Sequence, residues 1–197
     1  MSSSIVDYLT MEKDEDAILI QTKRDIQEYL SSMCSHKTYL QGMSIYGFNE
    51  RSVSFGIAMT SSELAVQEWY QELSNKEFDL TYLPPHYTTS TRRMPKSSEV
   101  FSLIRPIEHK GQNIGIVVAD IKSSILDDMF NINSTNGHNI YVVNLKTDEI
   151  IYQPEKGMES IIYEALRQDM STGEEITFSE GNEDYLAVYE TSSYTPW

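Results

Sequence analysis

The stretch from Val100 to Ile121, VFSLIRPIEHKGQNIGIVVADI, constrains the fold of this chain more than any other. Two runs rich in Val, Ile, Leu and Phe flank a polar turn, Glu108 to Asn113, which contains Gly111. This pattern predicts a long β-hairpin. The second run, Ile114 to Ala119, is apolar at consecutive positions, which is typical of a strand that is covered on both faces and lies centrally in its sheet.

Two residues of the second strand carry further expectations. Gly115 has no side chain, so we expect a packed helix or a ligand to approach the backbone closely there. Asp120 ends the apolar run, and a carboxylate at the end of a buried strand requires a partner. That partner is either a ligand or a structural group, for example a salt bridge with Arg105 across the hairpin.

The composition excludes several classes of protein. The 197 residues suffice for one domain or two small ones, and 40% of them are hydrophobic, which is enough for a folded core. The net charge of −15 disfavours a nucleic-acid binder, because such proteins usually carry a basic face. The single cysteine, Cys34, allows no intramolecular disulfide, and we expect it to be a small buried residue on a helix. No run approaches the roughly 20 apolar residues of a transmembrane helix.

Hairpins alternate with helices along the chain, which favours an α+β fold over a doubly wound parallel sheet. The predicted elements are, in order, helices over 2–11 and from Asp16, strands over 39–48 and 52–58, a helix over 60–73, the central hairpin, a helix over 122–131, a hairpin over 139–153, a helix over 158–169 and a hairpin over 174–190.

The helix from Asp16 is predicted to be amphipathic, because its apolar residues recur at helical spacing. Its apolar face comprises Leu19, Ile26, Tyr29, Leu30 and Met33. Such a face packs on its own domain, or it forms a signalling helix or dimer contact in a membrane receptor.

The segment Asn75 to Ser98 is predicted to be long and irregular, with Pro84, Pro85 and Pro95 and many Thr and Ser residues. A compact domain seldom keeps a loop of this length without a role. The segment is therefore either a cover over a site, with a cavity lined by Tyr82, His86 and Tyr87, or a surface loop.

The sequence motifs of a catalyst are absent. There is no Gly-rich phosphate loop, no GxSxG and no HExxH. The four histidines are scattered and lack the spacing of metal ligands. We therefore expect this segment to be no enzyme and to hold no cofactor or metal.

The strings VFSLIRPI, GIVVADI, RDIQEYL, YLQGMSIYGFN and YLAVYETSSYTPW resemble a known family. They are similar to the extracytoplasmic sensor of YesM-like bacterial histidine kinases, which belongs to the double Cache class of PAS-like domains. The resemblance covers residues 16 to 197. It implies a long N-terminal helix followed by two PAS-like modules with antiparallel sheets.

The resemblance also implies domain boundaries. The stalk would span 1–35, the membrane-distal module 36–121 and the membrane-proximal module 122–197, truncated at its last strand. The ends of the chain, Met1 to Ser4 and Thr195 to Trp197, are also what we expect of a segment taken from a longer protein.

One subgroup of these sensors binds amino acids through a motif with Tyr, Arg, Trp-Tyr and a late Asp. Trp69, Tyr70 and Asp120 match this motif, and Tyr87 falls at a further aromatic position. Gln67 stands where the motif has the Arg that grips the ligand carboxylate, which argues against an α-amino-acid ligand. The candidate ligand-binding residues are Gln67, Trp69, Tyr70, Tyr87, Arg105 and Asp120.

The resemblance implies the sensor of a transmembrane two-component histidine kinase. It would lie outside the bacterial cell membrane, bind an unidentified small molecule in the distal module, and have the N-terminal helix as a possible homodimer contact. The segment itself would be soluble, with no nucleic acid as partner. Three alternatives remain open: the sensor of a chemoreceptor or a cyclic-dinucleotide enzyme, a module that detects a partner protein, and a secreted enzyme or surface-binding protein.

Overall fold

The computed structural model describes residues 3–11, 16–56, 59, 63–64, 66–74, 80–88, 98–134, 140–144, 149–153, 175–180 and 183–188. The chain forms two compact units, Met1–Asp128 and Met129–Trp197. The boundaries expected at residues 35 and 121 stay predictions.

The α+β class is confirmed by the order of the elements. The helices are α1 (Ser3–Thr10), α2 (Asp16–His36), α3 (Glu68–Ser74) and α4 (Ser124–Ser134). The strands are β1 (Leu40–Gly47), β2 (Ser52–Gly56), β3 (Thr81–Thr88), β4 (Ser98–His109), β5 (Gln112–Lys122), β6 (Val142–Asn144), β7 (Glu149–Tyr152), β8 (Glu175–Glu180) and β9 (Glu183–Val188). None of these described helices is long and apolar enough to cross a membrane.

The central hairpin forms from β4 and β5, with a tighter turn than the sequence predicts. Lys110 and Gly111 alone connect the strands, with φ angles of 52° and 75°. Positive φ at both central residues is the conformation of a two-residue type I′ turn, whose twist matches that of the strands. The polar residues on either side of the turn therefore continue the two strands.

The first unit is built on one antiparallel sheet of five strands in the order β2-β1-β5-β4-β3. The position of β5 at its centre confirms the expectation from its continuous apolar run. Two buried clusters cover the two faces. Side chains alternate between these faces along each strand, so that Ile45 of β1 contacts the helices and Tyr46 points the other way.

Helices α1 and α2 cover one face of the sheet. The β1–β2 turn fixes the end of α1, because Asn49 Nδ2 donates to the Leu9 carbonyl at 2.7 Å and Arg51 Nη1 donates to the Tyr8 carbonyl at 2.7 Å. These carbonyls belong to the last turn of α1, where the helix itself provides no donors. The side chains of Asn49 and Arg51 in the β1–β2 turn thus attach α1 to the sheet.

The apolar face of α2 is narrower than predicted. Ile26, Leu30 and Cys34 are buried, which confirms Cys34 as a buried helical residue, but Tyr29 is 51% exposed. The buried residues are spaced by four, so they form a single row on the helix. Tyr29 lies 100° around the helix from Leu30 and misses this row.

The irregular segment predicted over 75–98 contains a strand, so that prediction is wrong for residues 81–88. β3 pairs antiparallel with β4, and the register shifts between Leu83 and His86. Pro84 and Pro85, which have no N–H to donate, fall inside this shift. An edge strand tolerates them because only one of its sides is paired.

The helix predicted over 60–73 is not continuous. Glu63 and Leu64 are helical, Val66 lies in a turn, and α3 begins at Glu68. Leu64 and Trp69 both pack against the same buried cluster. Five residues apart on a straight helix they would point about 140° away from each other, so the break lets both face the sheet.

The second unit contains the β6–β7 and β8–β9 hairpins, both antiparallel as predicted. Phe130 and Tyr152 pack with their ring centroids 5.0 Å apart, and Ile151 is buried. The helix expected over 158–169 lies outside the described residues, as do Ile57 and Thr60.

Gly115 is approached by the neighbouring strand rather than by a helix or ligand, which corrects the expectation from sequence. A Cβ at this position would collide with the Tyr46 carbonyl oxygen and would lie 3.0 Å from the Cα of Gly47, both on β1. We expect Gly115→Ala to lower the free energy of unfolding by about 1–3 kcal/mol, the usual cost of overpacking.

Chemical denaturation of both variants would check this expectation. The matched control is Gly111→Asn, because a Cβ at Gly111 meets open space and Asn tolerates the positive φ. Equal stability of Gly115→Ala and the wild type would show that β1 and β5 can separate without cost.

Candidate ligand-binding cavity

The face of the sheet opposite α1 and α2 holds a cavity of about 200 Å³. Its floor consists of alternate residues on β1 and β5, one residue of β4 and three of β3: Ser44 and Tyr46, Val118 and Asp120, Ser102, and Leu83, His86 and Tyr87. Its wall comprises Met59, Glu63, Leu64 and Gln67, which lie between β2 and α3, and Trp69 of α3. The strand register places the polar members of the floor in neighbouring positions.

Asp120 is the buried charge of this floor, with 6% of its surface exposed. Ser102 lies directly opposite on β4, and its Oγ donates a hydrogen bond of 2.5 Å to Asp120 Oδ1. Burial raises the pKa of the Asp120 carboxyl above its ordinary value of 3.8, and the Ser102 hydrogen bond and His86 partly offset this rise. The carboxyl is thus held in a place that disfavours its charge.

His86 continues the polar row beyond Ser102. Its Nδ1 lies 2.8 Å from the Pro84 carbonyl oxygen, and its Nε2 lies 3.4 Å from Ser102 Oγ. A carbonyl only accepts, so this contact assigns a proton to Nδ1. The Ser102 hydroxyl has one proton, and it donates this proton in the short hydrogen bond to Asp120 when the carboxylate is ionised. The longer contact with His86 is the weaker of the two.

Tyr46 closes the apolar end of the floor. Its phenol donates to the Met59 carbonyl at 3.0 Å, which ties the wall segment to the sheet. Burial raises the pKa of Tyr46 to about 12, so the phenol keeps its proton at any physiological pH.

Trp69 and Tyr70, the aromatic pair at the start of α3, have different surroundings. Trp69 lines the cavity. Tyr70 packs instead against Phe48, with the ring centroids 6.0 Å apart, and meets the edge of Trp69 at 6.0 Å. Tyr70 therefore supports the wall from behind.

The charges of the cavity favour a ligand that donates hydrogen bonds. Two of its lining residues are acidic, Asp120 and Glu63, and among the described lining residues none is Lys or Arg. A buried carboxylate is stabilised by a cation or by N–H and O–H donors. Among the described lining residues, none offers a ligand carboxylate the fixed positive charge of a Lys or Arg.

The structure brings together four of the six residues predicted for the site: Gln67, Trp69, Tyr87 and Asp120. Tyr70 lies behind them. The roles of these residues in binding stay predictions.

The predicted Asp120–Arg105 salt bridge is wrong. Arg105 pairs with Val117 and Asp120 with Ser102, so Arg105 lies three residues along β4 from the position opposite Asp120. Side chains alternate along a strand, which places Arg105 on the other face of the sheet, where it is exposed.

Ser44, Tyr46 and Ser102 are cavity residues that the sequence analysis missed. Each lies on the same face as Asp120 at an even offset in the register. The period of two along each strand was visible in the sequence. The register that places these strands side by side was not.

The raised pKa of Asp120 predicts how stability changes with pH. The folded state holds the Asp120 proton to higher pH than the unfolded chain does, so this group stabilises the fold most at low pH. That contribution is lost as the pH rises from 3.8 through the folded pKa. The Asn side chain of Asp120→Asn does not titrate. As the pH rises from 3.8 through the folded pKa of Asp120, the unfolding free energy of the variant should therefore increase relative to that of the wild type.

Urea denaturation at a series of pH values would measure this difference. Ser102→Ala removes the hydrogen bond that lowers the pKa and should extend the loss of stability to higher pH. A wild type whose unfolding free energy rises relative to that of Asp120→Asn as the pH rises would contradict the assignment.

No protein-family model and no curated protein matches the chain, so the comparison rests on solved structures. The ligand-binding domain of the Campylobacter jejuni chemoreceptor Tlp3, in complex with L-valine, is 16% identical with a TM-score of 0.60, over 93% of this chain and 75% of that chain. The ligand-binding domain of the Pseudomonas fluorescens chemoreceptor CtaA, in complex with L-serine, is 16% identical with a TM-score of 0.56, over 93% and 75%.

A third similar structure is the extracellular domain of vpHK1S-Z8, described as a histidine kinase. It is 12% identical with a TM-score of 0.58, over 91% of this chain and 71% of that chain. The chain therefore has the fold of these chemoreceptor ligand-binding domains and of this histidine kinase extracellular domain, which confirms the resemblance to double Cache sensors at the level of the fold.

Proposed function

We propose that this chain is the extracytoplasmic ligand-sensing domain of a transmembrane sensor histidine kinase. The observation that carries the proposal is the cavity on the central sheet, with the buried Asp120 in its floor. Solved structures of the same fold include complexes with small molecules. The segment itself performs no catalysis in this proposal, and the kinase activity belongs to another part of the parent protein.

The volume of the cavity limits the ligand to a small metabolite. About 200 Å³ is below the ~300–1,000 Å³ of pockets for drug-sized ligands. At about 30 Å³ for each water molecule, it holds the equivalent of roughly seven waters. Trp69, Leu64 and Val118 give it apolar surface beside the polar row.

The ligand that the cavity suits best carries an amino group and no carboxylate. Asp120 and Glu63 would attract a cation, and a cation beside Asp120 would offset the cost of burying its charge. Gln67 lies in the cavity at the position where the amino-acid motif has an Arg. An amide cannot neutralise a ligand carboxylate, so α-amino acids such as those bound by the similar chemoreceptor domains would lose one of their two charge partners.

The sheet connects the cavity with the helices. On β1, Ser44 and Tyr46 face the cavity while Ile45, between them, packs in the cluster with α1 and α2. A ligand that binds one arrangement of this strand more tightly would shift the population of helix positions on the other side. In the parent protein, such a shift would pass along α2 to the membrane.

The outer side of α2 supports the predicted homodimer contact. Ile18 and Tyr29 lie within about 20° of each other around α2, and each is more than half exposed. Burying them against a second copy would remove apolar surface from water.

A chemoreceptor is the second candidate for the parent protein, because two of the similar sensor domains belong to chemoreceptors. The sensor fold is shared by both classes, so the output domain distinguishes them. The sequence that follows residue 197 in the parent protein would identify it.

A thermal-shift screen of the 197-residue chain would test ligand binding. We expect small amines to stabilise the domain and mono- and dicarboxylates of similar size to leave it unchanged. A ligand at 100 times its Kd adds about 2.7 kcal/mol of stability. Trp69→Ala, in a variant that still folds, should remove the stabilisation by any true ligand.

The variant Asp120→Asn tests whether an amine ligand binds at the Asp120 carboxylate. Losing a hydrogen bond to a charged group should weaken amine binding by about 10- to 100-fold. The matched control is Asp25→Asn, because Asp25 is exposed on α2. This variant should bind amines as tightly as the wild type does. Stabilisation by carboxylates alone would refute the amine class, and the absence of any stabilising compound in a broad metabolite screen would count against direct sensing.

A further inference from the structure

Ser44 is a buried hydroxyl in the cavity floor that the fold leaves unused. It is 1% exposed and lines the cavity, yet its Oγ has no hydrogen-bond partner within the described residues. Ser102, also 1% exposed, lies directly opposite Asp120 on β4, donates a hydrogen bond to it and contacts His86. Buried polar groups are nearly always satisfied, so an unsatisfied one in a cavity indicates a partner that comes from outside.

Tyr46 does not satisfy Ser44. The Ser44 hydroxyl is close enough to the Tyr46 phenol to lower the pKa of that group against the effect of burial, but the contact falls outside the distance and angle range of a hydrogen bond. The phenol donates its only proton to the Met59 carbonyl. The Ser44 oxygen therefore keeps its capacity to accept a hydrogen bond from a ligand.

The strand register opens the space between Ser44 and Asp120. The residue opposite Asp120 on β1 is Gly42, which has no side chain, and Ser44 is opposite Val118. Ser44 and Asp120 are thus diagonal neighbours on one face, at about 7–8 Å between backbones and less between side chains. Ser102 donates to Oδ1 of Asp120, so that hydrogen bond leaves Oδ2 of the carboxylate for a further donor.

We propose that the Ser44 hydroxyl is a ligand-binding group that, together with Asp120, receives the hydrogen bonds of one ligand nitrogen. An ammonium group has three N–H donors, so it can donate to the Asp120 carboxylate and to Ser44 Oγ at the same time. This two-point contact makes Ser44 a determinant of specificity for primary over quaternary amines. The inference rests on the proposed function, since it deepens the description of the same cavity.

The test uses methylammonium chloride as the probe and NMR spectra of the ¹⁵N-labelled 197-residue chain as the readout. We expect saturable shifts at the backbone amides of residues 42–46 and 118–122. Tetramethylammonium chloride at equal ionic strength has the same charge and no N–H donor, and it should produce no such shifts. Ser44→Ala should weaken methylammonium binding by roughly 2- to 12-fold, the effect of one net hydrogen bond.

Two control variants isolate the role of Ser44. Ser123 Oγ is also buried without a partner but does not line the cavity, so Ser123→Ala should leave probe binding unchanged. Ser44→Ala loses no internal hydrogen bond and should unfold at the same or a higher denaturant concentration than the wild type. Ser102→Ala, which breaks the bond to Asp120, should unfold earlier.

Each result bears on the inference. Weaker binding in Ser44→Ala alone, with stability retained, supports it. Unchanged binding in Ser44→Ala overturns it while leaving the amine site at Asp120 standing, and so does a loss of stability in Ser44→Ala as large as that in Ser102→Ala. Saturable binding by tetramethylammonium also overturns it. The absence of methylammonium binding to the wild type overturns both this inference and the proposal that the ligand is an amine. The proposed sensor function would then be tested by the metabolite screen alone.

Discussion

The burial of the Asp120 carboxyl on the central strand is the interaction on which the rest of the site depends. A charge with 6% exposure is costly unless donors surround it, and Ser102 on the adjacent strand supplies one of them. The hydroxyl is in place because β4 and β5 keep one register from the Ile107–Gly115 pair to the Val100–Lys122 pair, beyond the register shift that lies next to the turn. The pairing of β4 with β5 thus determines which polar groups meet in the cavity floor.

The two faces of the sheet perform different tasks. One face is closed by α1 and α2, which are bound by apolar packing and by side chains of the β1–β2 turn. Within the described residues, the other face is covered by a short helix and by the residues that precede it, and the cavity lies between them and the sheet. The helix-covered face supplies stability, so the opposite face can keep polar groups that a closed core would exclude.

Sequence reasoning predicted the central hairpin, the position of β5 and the α+β class, because continuous apolar runs and turn residues are local signals. Through a family resemblance it also singled out Trp69 and Asp120, and both residues line the same cavity. It failed where the outcome depends on pairing between distant segments. β3 was mistaken for a loop because Pro84 and Pro85 interrupt its pattern, and Ser44 and Ser102 became visible only when the register placed them beside Asp120.

The two prolines of β3 also affect the colloidal behaviour of the domain. β3 is the outermost strand of the sheet, and a free strand edge is a template on which a second chain can add by backbone pairing. Pro84 and Pro85 offer no N–H at adjacent positions, and the register shift beside them bends the strand. Within the described sheet, the strand that borders the cavity is thereby made a poor partner for a second chain, which lowers the risk of aggregation through this edge.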